Sequence, residues 1–296
     1  MIALLALALL ASRAGELQAP ATAEICGRCH RTIHEAWKIS SHARAAESRL
    51  FQDVLEMAEA EGGAGARRLC LSCHAPIAVH GGDMGMVKKV SWEGVTCDFC
   101  HSIREVTWAA NPKATVLFST VRSGTIKEAL SGAHRTAYSS VHSSSAVCAP
   151  CHDYRNSQGF PVLTTFTEWK ATAHAAQGHP CQSCHMPRIK GVNLHQMPGS
   201  HSLEHLVSAL KAQMYTAREG DRLNVTVDVA NHRAGHYLPT GSPLRQIVLE
   251  VRAGAGREER VYTRRIADAQ GKPIQREDHA FLKAAKVVAD SRLAPG

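Results

Sequence analysis

The chain has ten cysteines, and all fall in pairs with two residues between: Cys26/Cys29, Cys70/Cys73, Cys97/Cys100, Cys148/Cys151 and Cys181/Cys184. A histidine follows each pair at once, at His30, His74, His101, His152 and His185, giving CGRCH, CLSCH, CDFCH, CAPCH and CQSCH. Three chemistries are open to such a pair: disulfide exchange, half a zinc site, or covalent attachment of a haem. Zinc sites take pairs of pairs, which an odd number of units meets poorly. A thioredoxin-type motif has no use for an adjacent histidine or for repeated copies. Haem attachment uses every part: two thiols reach the vinyl groups along one porphyrin edge, and the next residue puts an imidazole nitrogen on iron. The motifs therefore predict five haem c groups, with all ten cysteines as anchors and the five motif histidines as proximal iron ligands.

The opposite side of each iron decides what the haem does. A second histidine leaves an electron carrier, whereas an open side admits a substrate. Thirteen of the 18 histidines lie outside the motifs, more than structure alone requires. His42 stands in WKISSHA on the segment leaving the first motif, and His134 and His142 flank AHRTAYSSVH before the fourth. His195 and His201 lie in NLHQMPGSHS after the fifth, and His236 in RAGHYLPTG, where Gly and Pro fix a tight turn. The expected distal ligands are His42, His134, His195, His201 and His236, with His142 as the alternative to His134. His34, His80, His174, His179, His205, His232 and His279 rank below them. Met84, Met86 and Met197 offer thioethers, but methionine more often serves as core packing.

The N-terminus, MIALLALALLASRAG, has an apolar run too short to span a bilayer and reads as a secretory segment, with cleavage after Ala14 or after Ala23. No later stretch is long and apolar enough to span a membrane, and covalent haem attachment takes place outside the cytoplasm. The net charge is 34 − 26 = +8, which the propionates of the haems oppose. Its Lys and Arg residues read as propionate partners and solvated surface, not as a nucleic-acid footprint.

Three regions follow: an export segment at 1–23, a pentahaem region at 24–212, and an antiparallel β domain of sandwich type at 213–296. With aromatic residues at 5% of the chain, porphyrin faces must replace much of the side-chain packing, so short helices and irregular loops wrapped on haems are expected. Helices are predicted at 31–48, 47–61 and 202–217, the last with Ser202 as cap and Leu203, Leu206, Val207 and Leu210 as its apolar stripe. GAGA at 63–66 reads as a separator. RLNVTVDVANH and QIVLEVRAG alternate as strands, and GAGREERVYTRR reads as a turn and return strand. The chain reaches DSRLAPG without a segment that reads as a closing strand, so the β domain reads as truncated. No sequence repeat is read beyond the haem motifs.

CGRCHRTIHEAWKISSHA, CLSCHAPI, GVTCDFCHSI, SSSAVCAPCHD, TFTEWKATAHAAQGHPCQSCHMP and AGHYLPTG resemble a family of exported multihaem cytochromes of the cytochrome c-554 type, over nearly all of residues 24–250. Its relatives include electron acceptors of hydroxylamine oxidation and subunits of extracellular cytochrome filaments. The resemblance implies stacked haem pairs, mostly bis-histidine iron and electron transfer. It implies His42 as a distal ligand, and likewise His195 and His201, although this sequence has MPGSH where the family has a double glycine. It also supports His236. Redox proteins in the periplasm or outside the cell are the partners implied, and a filament of further copies is compatible with that role. The alternative is an oxidoreductase acting on nitrite, hydroxylamine or a sulfur compound at one open haem. The CxxCK motif typical of pentahaem nitrite reductases is missing from the sequence.

Overall fold

The computed structural model of the protein describes residues 17–189 and 191–295. Residues 1–16 of the expected export segment lie outside them. The chain forms two compact units, Met1–Cys151 with Cys181–Met197, and His152–Pro180 with Pro198–Gly296. All ten cysteines belong to the first.

The first unit is made of short helices and three small strand pairs, one of them Arg188–Ile189 with Val192–Asn193. Its helices are Ala23–Gly27, Arg31–Lys38, Arg49–His74, Pro76–His80, Cys97–His101 and Cys181–His185, and the helix Ala149–His152 runs to its boundary. The helix expected at 31–48 ends at Lys38, where the chain turns through Ser40. The one expected at 47–61 runs on to His74, with its break confined to Gly63 at φ 62 and ψ −154. Ala, Arg and Leu after that glycine are good helix formers, so the helix resumes and carries the second motif in its last turn. Ile103–Thr107 pairs antiparallel with Lys113–Val116, and Val121–Gly124 pairs parallel with Arg135–Tyr138. Apolar packing is divided among small clusters: one around Phe51, Leu55 and Leu71, one around Ile77, Phe99 and Ile103, and one around Trp37 and Ala43.

Residues 17–23 are sewn into this unit. Gln18 N–H donates to the Phe118 carbonyl at 3.2 Å, Ala21 N–H to Asp98 Oδ2 at 2.6 Å, and Ala23 N–H to Glu93 Oε2 at 2.8 Å. Asp98, inside the third motif, is fully buried and also accepts from Ser102 Oγ at 3.1 Å and pairs with Arg122 at 3.1 Å. A buried carboxylate needs partners for its oxygens, so the Ala21 amide is part of that motif's support.

In the second unit, Tyr154–Arg155 pairs with Pro161–Leu163, and the helices are Thr165–Lys170, Ala173–Ala176, Leu203–Ala209 and Glu277–Leu282. Ser202 caps as expected, its hydroxyl accepting from His205 N–H at 3.3 Å, but the helix predicted to reach 217 stops at Ala209. Leu210–Glu219 is instead a strand, paired from Leu210↔Asn231 to Glu219↔Arg222 with the alternating segment the sequence marked. Pairing with that neighbour overrides the helical stripe read from residues 203–210, since local propensity is a weak prior. Gln246–Ala253 and Gly256–Ala267 form the expected hairpin. The expected lack of a closing strand is corrected: Lys286–Asp290 pairs with Arg264–Ala267. Phe160, Val162, Ile266, Ile274 and Ala284 make this unit's core.

Among the described residues no helix is long and apolar enough to cross a membrane. A cut after Ala23 would remove the amides that hold Asp98 and Glu93. N-terminal sequencing of the exported protein is therefore expected to begin upstream of Leu17, as a cut after Ala14 gives. A sequence beginning at Glu24 would contradict this.

Candidate haem sites

Each motif lies on a helical turn. Cys70–His74 ends the helix Arg49–His74, Cys97–His101 and Cys181–His185 are helices in themselves, and the helix Ala149–His152 takes up the fourth motif after Cys148. At the first, His30 N–H donates to the Cys26 carbonyl at 2.9 Å, the same helical closure. Residues i, i+3 and i+4 share one face of a helix, so both thiols and the imidazole are presented together. None of the ten cysteines is in a disulfide. Among the described residues none of them belongs to a group of three or more metal-ligand atoms within 4.8 Å of one another, so the pairs assemble no zinc tetrad. They meet across motifs instead: Cys26 hydrogen-bonds to Cys97, Cys73 to Cys151 and Cys148 to Cys181. The first motif thus abuts the third, the second the fourth, and the fourth the fifth.

The sequence treats the ten cysteines alike, and the structure does not. Eight of the cysteines are half-buried, whereas Cys29 and Cys184 are exposed. The reason is local. Cys29 lies past the end of the helix Ala23–Gly27, held by its own N–H donating to the Cys26 carbonyl at 3.3 Å. Cys184 sits in the helix Cys181–His185, none of whose residues is buried. Cys29 and Cys184 are thus positioned by the helical turn of their motif and not by enclosure in the protein.

The histidines share a pattern at Nδ1. It donates to the Ala45 carbonyl from His74 at 3.3 Å and to the Ser123 carbonyl from His101 at 2.6 Å. It donates likewise from His134 to Arg135 O at 3.0 Å, from His195 to Asn193 O at 2.7 Å, and from His236 to Tyr237 O at 3.0 Å. A carbonyl can only accept, so each bond puts the proton on Nδ1 and the lone pair on Nε2, as a metal ligand requires. Burial, with the imidazoles of His142, His195 and His30 nearby, holds His101 down at about 4, so the ring is neutral. Burial also lowers His42, His74 and His195.

Two imidazoles on opposite sides of one metal, each bound at about 2 Å, hold their ring centroids roughly 6 Å apart. His30 and His134 stand at 6.3 Å, and His101 and His195 at 6.4 Å. His134 also borders an open depression of about 580 Å³ lined by Thr120, Leu130 and Arg135. These spacings and tautomers fit an iron porphyrin. His142 stands 5.8 Å from His101, but its Nε2 donates to the Cys100 carbonyl at 2.8 Å and its Nδ1 bonds Ser139 Oγ at 2.9 Å. Both of its nitrogens are engaged by protein.

His42 follows a different route to the same tautomer. Its Nδ1 lies 2.8 Å from Met197 Sδ, and its electrostatic neighbours are His185 and His74. Its carbonyl accepts from Val95 N–H at 2.9 Å, while the Val95 carbonyl accepts from Trp37 Nε1 at 2.9 Å. Gly94, at φ +63, makes this possible, because a Cβ there would lie 2.2 Å from the His42 carbonyl oxygen.

The same clasp occurs again in the second unit. The His174 carbonyl accepts from His179 N–H at 2.9 Å, and the His179 carbonyl accepts from Trp169 Nε1 at 3.0 Å. Val95 and His179 each stand two residues before a motif cysteine, and Gly94 and Gly178 both have positive φ. WKISSHA with GVTCDFCH therefore repeats as WKATAHA with GHPCQSCH. This corrects the expectation of no repeat beyond the motifs, and it raises His174, which ranked low in the sequence. The Nδ1 of His174 is buried without a hydrogen-bond partner. The spacing of Trp, Lys and His-Ala was the signal that could have found it. His236 is half-buried in its turn, and His201 is exposed in the turn Gly199–Ser202.

Short helices and small, mostly antiparallel sheets arranged in this way define a multihaem cytochrome-like fold. Among solved structures it matches the crystal structure of a penta-haem cytochrome c552 from Thermochromatium tepidum, with a TM-score of 0.75 and 23% identity, over 95% of this chain and 86% of that one. Residues 25–102 match the family described as cytochrome c554 and c-prime. The family match is confined to residues 25–102, and the structural likeness is one of fold. No curated protein matches the chain.

His195→Ala in the holoprotein is expected to turn one low-spin iron high-spin, while His142→Ala leaves the spin count unchanged; magnetic circular dichroism checks both. Gly94→Ala is expected to destabilise the first unit by about 1–3 kcal/mol, through its left-handed backbone and the clash at His42. Denaturant unfolding with equal haem loading measures it.

Proposed function

We propose that the protein carries electrons between redox proteins through five covalently held haems, mostly with histidine on both faces of the iron, after export to the periplasm or beyond. The observation that carries this reading is the spacing of His30 to His134 and of His101 to His195, with Nδ1 of His134, His101 and His195 tied to a carbonyl. The ten motif cysteines anchor the haems, the exposed Cys29 and Cys184 included, and the five motif histidines are the proximal ligands. His134 serves the first motif and His195 the third. His42, with His74 and His185 as its electrostatic neighbours, serves the second or the fifth motif. His236, His201 and His174 are the candidates for the remaining irons. When bound, each haem supplies reversible one-electron exchange. The chain's part is to hold neutral imidazoles in fixed orientation, so that ligation is the same in both oxidation states and little has to reorganise.

The division at residue 212 is one of cofactor content. Residues 24–212 hold the haems, and 213–296 form a β region of sandwich type that carries the His236 turn. Low-temperature electron paramagnetic resonance of the oxidised holoprotein is expected to show low-spin ferric haem throughout. A stoichiometric high-spin signal would overturn the electron-carrier reading.

A further inference from the structure

Glu168 is buried in the helix Thr165–Lys170 of the second unit, next to Trp169. A carboxylate taken out of water must find partners for both oxygens. Oε1 accepts from the Thr164 hydroxyl at 2.6 Å and from Arg292 Nη1 at 2.7 Å. Oε2 accepts from the Thr240 hydroxyl at 2.7 Å and from Tyr237 N–H at 3.2 Å. One side chain thus joins three segments remote in sequence: the helix leading into His174, the turn that carries His236, and the chain at Arg292.

The partners are themselves fixed. Arg292 makes two bonds to Asp290, at 2.9 and 2.8 Å, and its guanidinium lies 4.7 Å from the centre of the Tyr237 ring. The Thr240 and Thr165 hydroxyls are 2.9 Å apart. Turn and clasp also touch directly, since a Cβ on Gly235 would come within 3.3 Å of both His174 and Trp169. The first copy of the clasp has Ala36 where the second has Glu168, so the carboxylate is an addition to the repeated device.

We propose that Glu168, bridged to Arg292, is a positioning residue that locks the clasp of His174 and the turn of His236 into one rigid body. Glu168 holds the two imidazoles relative to each other and touches no iron itself. This rests on the reading of His174 and His236 as candidate ligands.

The test uses the exported holoprotein with its full haem complement. Glu168→Ala removes all four acceptor bonds and is expected to give a high-spin ferric signal from at least one iron, with a shift in the corresponding reduction potential. Glu168→Gln keeps the shape and one acceptor oxygen, and is expected to restore the low-spin state with altered g values. A Glu168→Ala protein whose resonance spectrum and potentials match the parent's overturns the proposal. If that variant does not fold, Thr240→Val removes only the hydroxyl of the turn and is expected to shift at least one low-spin g value; unchanged g values overturn the proposal equally. A parent protein without low-spin iron would overturn the ligand reading instead, so the two failures are distinguishable.

Discussion

An imidazole offers Nε2 to a metal only when its proton sits on Nδ1, and that proton must be held by an acceptor. Much of the polypeptide here is arranged around that requirement. Backbone carbonyls hold the Nδ1 proton of His74, His101, His134, His195 and His236, and a methionine sulfur stands in the same place for His42. Because carbonyls are the acceptors, the direction of each ring depends on local backbone path. Short irregular segments suit this task better than long regular elements. His142 shows the contrast: it lies as close to His101 as the others, yet its proton sits on Nε2 and is given to a carbonyl.

The packing agrees with a polypeptide built to hold large apolar cofactors. The first unit has several small apolar clusters in place of one continuous core, although all ten cysteines lie within it. Polar contacts take over part of a core's role. Asp98 ties the third motif to Ala21 and Arg122, and Gly94 lets the backbone before that motif close on His42. Each sits within a few residues of a motif cysteine, where a displaced backbone would move the motif.

The motifs were legible because haem attachment fixes residue types at fixed local spacing, and a helical turn delivers that spacing wherever it occurs. The alternating strands and the Ser202 cap were legible for the same local reason. What the sequence hid was non-local. The spacing is the same in all five motifs, so it could not show that Cys29 and Cys184 stand exposed while their pair mates Cys26 and Cys181 meet thiols of other motifs. Residues 210–217 carry an apolar pattern a helix could use, and only pairing with residues 222–231 makes them a strand. KVVAD is too short to read as a strand until residues 264–267 offer it an edge. His134 and His142 are indistinguishable by position, and the difference lies in which nitrogen meets a carbonyl. His174 does not stand out by position because its module repeats outside the CxxCH units, while its backbone bonding matches that of His42.

Every site described depends on iron porphyrins being welded to the chain at all five motifs. Intact mass spectrometry of the exported protein, taken under denaturing conditions that strip non-covalent cofactors, addresses this most directly. The expected result is the polypeptide mass increased by five haems. A mass without haem increments, or one lowered by disulfide formation, would contradict it.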